Sequence, residues 1–279
     1  MNDQAIGIFD SGIGGLTCVR EMNRLLPHEN IVYFGDTARI PYGTRSRETI
    51  EIYASQDIDF IRSHNVKLII AACGTVSSVM GSTKNVGGIP FSGVVIPAGQ
   101  AACAATSNGR IGVIGTPATI KSGAYGKAIR TIRQDCAVFG NSCPLFVTMA
   151  ENGITSKDDV VVKEMVKRYL APIKKENVDT LILGCTHYPM FSEAISEFMG
   201  EDVTLISSGA EAAKYAQSIL TMKNMLCDSE EQGKNLFYSS DSPELFEENA
   251  KMFLGEGLCG NIRQVTTEEM IRIGNSLTK

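Results

Sequence analysis

Short, nearly continuous apolar runs alternate along the chain with segments of helical periodicity. "AIGIFD" (Ala5–Asp10) reads as a buried strand. From Leu16 to Leu26 the apolar residues Leu16, Val19, Met22 and Leu26 fall on one helical face. "IVYFGD" reads as a second strand. Residues 46–65 read as a helix with Ile50, Ala54, Phe60 and Ile61 turned inward. "VKLIIAA" and then "FSGVVIP" read as further strands. Strands that are apolar throughout, rather than alternating, belong in parallel sheets covered by helices on both faces.

The pattern then restarts. "RIGVIGTPATI" (Arg110–Ile120) resembles "AIGIFDSGIGG" (Ala5–Gly15) in having a strand, a glycine-marked turn and small polar residues. Ser156 and Asp159 form an S-x-x-D helix start, and Val162, Met165, Val166, Tyr169 and Ile173 supply that helix with an apolar face. "NVKLIIAAC" (Asn65–Cys73) and "NVDTLILGC" (Asn177–Cys185) each end in a cysteine eight positions after an Asn-Val start. The expected fold class is therefore α/β: two pseudo-symmetric domains, each built on a parallel sheet, with a cleft between them. Each domain delivers one thiol at the carboxyl end of a strand, where open α/β sheets bind ligands. The tail, with a helix over Ala210–Met222, a strand "NLFYSS" and a helix from near Pro243, returns to the first unit. The expected division is residues 1–96 plus 209–279 for the first domain and 97–208 for the second.

Composition narrows the partners. The 279 residues are 43% apolar and 20% charged, which is ordinary for a globular protein, and two domains are the default at that length. A net charge of −5 without a basic run argues against nucleic acid and anionic membrane. No apolar stretch reaches the roughly 18 residues of a spanning helix, and the N-terminal residues do not read as a signal peptide; the expected location is the cytoplasm. Eight cysteines include no C-x-x-C, and only His28, His64 and His187 could join them, so neither a zinc site nor a disulfide framework is expected. Cys18, Cys103, Cys136, Cys143, Cys227 and Cys259 read as small buried hydrophobes.

Cys73 and Cys185 are different because ionisable residues stand at comparable strand ends: Asp10, Asp36, Glu151 and His187. Ser11, Thr75, Thr116 and Thr186 add hydroxyl donors, and together with backbone N–H groups they suit a small anionic ligand. One cysteine beside a histidine suggests nucleophilic catalysis. Two, one from each half of a symmetric cleft, suggest proton traffic: one thiolate takes a proton from carbon while the other, as a thiol, returns one to the opposite face. "DSGIGG" is not a dinucleotide fingerprint, since Thr17 takes the place of its last glycine. Asp36 alone would cap a helix or pin a turn, His187 alone would be a turn residue, and Tyr42 a packing aromatic.

The motifs "IGIFDSGIGGLT", "YFGDTARIPYGTRS", "AACGTVSS", "IGVIGTPATI" and "LILGCTHYP", in this order and spacing, resemble those of the glutamate racemases in the aspartate/glutamate racemase superfamily. The resemblance covers nearly the whole chain, and "GCTHYP" is its most diagnostic part. It implies interconversion of L- and D-glutamate without a cofactor, supply of D-glutamate to peptidoglycan synthesis, and a homodimer. It implies that Cys73 removes the α-proton of D-glutamate with help from Asp10. Cys185 removes that of L-glutamate with help from His187, and Glu151 lies near the substrate ammonium. It further implies a binding set of Asp10, Ser11, Pro41, Tyr42, Gly43, Gly74, Thr75, Thr116, Thr119 and Thr186. Many relatives carry asparagine after the first catalytic cysteine; Gly74 stands here instead and offers only its backbone N–H, with closer approach.

Three other readings compete. An aspartate racemase shares the two-cysteine logic but lacks the "THYP" continuation. A thiol-redox enzyme is opposed by the missing C-x-x-C. A two-lobed amino-acid-binding protein explains a cleft but not paired thiols. A regulatory role through DNA gyrase, which some relatives bind, is not required by any segment of this sequence.

Overall fold

The computed structural model describes residues 2–255 and 262–277. Among these residues eleven strands form two sheets. They are β1 (Ala5–Asp10), β2 (Ile31–Gly35), β3 (Val66–Ala71), β4 (Asn85–Val86), β5 (Ile89–Gly93), β6 (Arg110–Gly115), β7 (Ala137–Ser142), β8 (Thr180–Leu183), β9 (Thr204–Ser207), β10 (Asn235–Ser239) and β11 (Ile262–Gln264). The first sheet runs β11-β10-β2-β1-β3-β5-β4 and the second β7-β6-β8-β9. All pairings are parallel except that of the two-residue β4 with β5. The order β2-β1-β3-β5 recurs as β7-β6-β8-β9, so the duplication read from the two Asn-Val-…-Cys segments is present in strand order.

The local chemistry of the repeat is also duplicated. Asn65 and Asn177 both take the left-handed backbone conformation, with φ of 52° and 51°. Asparagine tolerates that region better than other residues with a side chain. Each asparagine turns the chain from a helix into a buried strand, β3 in one sheet and β8 in the other. Both strands are buried along their whole length, as apolar runs between helical layers must be. The one charge inside β3, Lys67, is paired with buried Glu29 at 2.6 Å and donates to the Asn2 carbonyl at 2.8 Å. Without those partners a charge there would be strongly destabilising.

Helices fill both faces. Leu16–Leu25 and Ser208–Met222 pack together on one face of the first sheet, around Leu16, Val19, Met22, Ala212, Ala216 and Leu220. The helix Arg47–Arg62 covers the other face and buries Ile50, Ala54, Phe60 and Ile61 as its periodicity predicts. Val95–Ala105 packs on the second sheet beside Ile111 and Ile182.

Three details depart from the sequence reading. "FSGVVIP" is not one strand: β5 ends at Gly93 and a helix begins at Val95, with Pro97 tolerated in its first turn, where no helical N–H partner is lost. The helix assigned to the S-x-x-D signal begins at Val160, and its N-cap is Asp159, whose carboxylate accepts from the Val161 N–H at 2.7 Å; Ser156 precedes the helix. Cys227 is half-buried, whereas Cys18, Cys103, Cys136 and Cys143 are buried as expected. Cys259 lies outside the described residues.

Candidate active site

Both cysteines of the repeat follow the last residue of a strand by two positions, Cys73 after β3 and Cys185 after β8. These strands adjoin the central β1 and β6, where the chain crosses over in opposite directions. Such switch points leave a crevice at the carboxyl ends of the strands. The two crevices face each other, and a 330 Å³ cavity lies between them. Cys73 and Cys185 line it from opposite halves.

On the first half, Ser11 Oγ lies 3.4 Å from Cys73 Sγ. Asp10 sits behind the wall of the cavity, 1% exposed, and its Oδ2 accepts from the Gly15 N–H at 2.7 Å. Burial raises the Asp10 pKa, while the positive charge of His187, the Gly15 N–H and the Cys73 thiol pull it back. Burial likewise pushes the Cys73 thiol up to about 12, with the nearby Asp10 charge adding to the effect and Ser11 opposing it. Cys73 is therefore held as a thiol, with the buried Asp10 carboxyl group close by.

On the second half, three side chains form a line. Cys185 Sγ is 3.7 Å from His187 Nδ1, and His187 Nε2 is 3.1 Å from Glu151 Oε1. Burial alone would lower the His187 pKa, but its hydrogen bonds and charge interactions with Cys185 and Glu151 raise it to about 10. The imidazolium thus places a fixed positive charge beside one sulfur only. The two halves are alike in backbone and unlike in electrostatics.

The rest of the wall is polar at defined points. Ser11, Pro41, Tyr42, Gly43, Gly74, Thr75, Thr116, Thr186 and Glu151 all line the cavity, whereas Asp10 lies behind it. Thr119 does not; its hydroxyl lies 3.0 Å behind that of Thr116. Thr75 Oγ1 and Thr116 Oγ1 meet at 2.9 Å, joining the two halves. Sequence reasoning missed Leu145, Val147 and Thr148, which close one side. They come from the short helix Leu145–Glu151, whose seven residues are too few to show a periodicity.

Asp36 does not reach the cavity. It is fully buried, accepts from Ser240 Oγ at 2.8 Å and from Arg39 Nε at 2.5 Å, and also receives the Tyr42 hydroxyl. It pins the turn that carries Pro41, Tyr42 and Gly43. Tyr42 donates as well toward Asp57 Oδ2 at 3.1 Å. Burial and the neighbouring Asp36 raise the Asp57 pKa well above the usual carboxylate range, and Arg39 counters this at 2.8 Å. Tyr42→Phe leaves these buried carboxyl groups short of a donor. It is expected to cost about 1–3 kcal/mol of stability, measured by urea denaturation at pH 7, and to weaken substrate binding by loosening the turn.

The model for the Asp/Glu/hydantoin racemase family matches residues 6–216. The chain belongs to this family. Among curated proteins it is 43% identical over 266 residues to a glutamate racemase of Geobacter metallireducens, covering 95% of this chain and 97% of that one. Among solved structures it resembles glutamate racemase isoform RacE1 from Bacillus anthracis, with a TM-score of 0.90 and 38% identity, covering 96% of this chain and 99% of the other. It also resembles the glutamate racemase of Francisella tularensis in complex with D-glutamate, with a TM-score of 0.86 at 38% identity, covering 95% and 98%.

Proposed function

We propose that this chain is an amino-acid racemase that interconverts L- and D-glutamate by a two-base mechanism, with Cys73 and Cys185 as the bases. The observation that carries the reading is the pair of thiols lining one 330 Å³ cavity from opposite strand ends. Similarity over nearly the full length to named glutamate racemases supplies the substrate.

In the proposed reaction Cys73 removes the α-proton of D-glutamate and Cys185, as a thiol, protonates the opposite face; the roles reverse for L-glutamate. Asp10 moves the proton to and from Cys73. The imidazolium of His187 offsets the negative charge that Cys185 carries while acting as base, and Glu151 fixes the ring and attracts the substrate ammonium. Ser11, the backbone N–H groups of Tyr42, Gly43 and Gly74, and the hydroxyls of Thr75, Thr116 and Thr186 hold the two carboxylates, with Pro41 shaping the wall beside them and Thr119 supporting Thr116. An α-carbon is a far weaker acid than a thiol of pKa about 8.5. Donors aimed at the α-carboxylate in a cleft that excludes water must therefore stabilise the carbanion-like transition state. The reading calls for no cofactor.

In this reading the two domains span residues 1–96 plus 209–279 and residues 97–208. A cytoplasmic homodimer supplying D-glutamate for peptidoglycan, and so for cell-wall growth and shape, completes the proposal; no nucleic acid or membrane takes part. Among the described residues no helix is long and apolar enough to cross a membrane.

The test is incubation of the purified protein with D-glutamate in deuterated water, without added cofactor. Loss of optical rotation together with one α-deuterium per inverted molecule, read by polarimetry and NMR, is the expected result. Turnover of D-aspartate instead would favour an aspartate racemase, and absence of any exchange would leave only a binding protein.

A further inference from the structure

We propose that Gly74 is a positioning residue that sets the separation of the two thiols, and that Gly43 assists it. The inference rests on the two-base reading and adds what determines the width of the cleft.

Gly74 immediately follows Cys73, and Gly184 immediately precedes Cys185. The two glycines meet backbone to backbone across the cleft. A Cβ on Gly74 would fall on the Gly184 carbonyl oxygen, 3.2 Å from its carbonyl carbon and 3.8 Å from Cys185 Cα. These are main-chain atoms, so no rotamer change could relieve the clash.

Gly184 cannot recede either. Its N–H donates to the Ile114 carbonyl at 2.8 Å, and a Cβ there would lie 2.7 Å from that same oxygen and 3.0 Å from the Tyr125 ring. The turn holding Cys185 is thus braced from behind by β6 and by a buried tyrosine. With Gly184 held in this place, a side chain at position 74 of this chain would press one half away from the other.

A second contact lies beside it. A Cβ on Gly43 would lie 2.8 Å from Thr116 Cβ, also across the cleft. Between these two contacts the Thr75 and Thr116 hydroxyls meet at 2.9 Å, a distance that tolerates little widening. Each bare backbone thus permits an approach on which a direct bond between the halves depends.

The alternative is that Gly74 is merely the first residue of the helix Gly74–Met80. Its φ is not positive. On that view alanine would be neutral or slightly stabilising, because it lowers the entropy of the unfolded chain and favours helix. The two accounts predict opposite outcomes for Gly74→Ala.

The experiment compares wild type and Gly74→Ala on D-glutamate in deuterated water, counting α-deuterium uptake with retention against uptake with inversion. Widening the cleft by about 1 Å is expected to cut inversion on the order of 100-fold. Exchange with retention needs only one thiol and should persist, so the ratio of exchange to inversion rises. Gly74→Asn should show a larger rise. A fold defect would lower both processes together and leave the ratio unchanged. If Gly74→Ala does not fold, Gly43→Ala reports in its place and is expected to raise the same ratio. Wild-type inversion and a wild-type ratio in whichever variant folds would overturn the proposal. Failure of the wild type itself to racemise would instead overturn the two-base reading.

Discussion

Cys73→Ser and Cys185→Ser should each reduce racemisation by about 10²–10⁴-fold while leaving the fold intact. A serine hydroxyl is close in size to the thiol but far too weak an acid to serve as the proton donor or as the base. The two variants should nonetheless differ. In Cys73→Ser the surviving thiol, with its imidazolium neighbour 3.7 Å away, can still remove and return the α-proton of L-glutamate. L-Glutamate should therefore acquire deuterium with retention, whereas D-glutamate should not. Cys185→Ser should show the mirror-image preference. The enantiomers have equal free energy, so kcat/KM must fall equally in the two directions for any variant; the asymmetry appears in exchange, not in net turnover. Full racemisation by either variant would remove the two-base assignment.

His187→Asn should lower kcat/KM by about 10²–10³-fold. It removes the positive charge beside Cys185 and leaves Glu151 without its 3.1 Å partner. The pH dependence carries a second signature. In the folded protein His187 holds its proton up to about 10, against an ordinary value of 6.5. Its contribution to stability is therefore fully present below about pH 6.5 and is lost as pH rises through about 10. Activity should decline over the upper end of that window as the imidazolium is neutralised. Urea melts at pH 6 and pH 10 should show the wild type losing more stability than His187→Asn between the two. An equal loss in both proteins would mean that the ring is neutral in the native state.

The parts of this architecture that depend on local chemistry were legible in the sequence. Apolar runs without alternation gave β1, β2, β3, β6 and β8, because buried parallel strands need no polar face. The two Asn-Val-…-Cys segments announced the repeat, and the structure adds that both asparagines serve the same left-handed turn. What was not legible depended on contacts between distant segments. Nothing around Asp57 suggests that a helix carboxyl group would be buried against Tyr42 and Arg39, 15 and 18 residues away in sequence. Pattern alone could not end β5 at Gly93, since "FSGVVIP" is equally apolar on both sides of the break. For Gly74 the substitution is visible in the sequence but its neighbour is not, since Gly184 is supplied by the other half of the repeat.

The turn that carries Tyr42 is held by the far end of the chain. Ser240 donates to Asp36 and accepts from the Ala38 N–H, Thr37 bonds Ser239 at 2.8 Å, and β10 lies between β2 and β11 in the first sheet. During synthesis β2 therefore waits as an uncovered sheet edge until β10 (Asn235–Ser239) has left the ribosome. A nascent chain already bearing both sulfurs would still lack a finished pocket, and the interval before β10 docks is when its exposed edge is most open to aggregation.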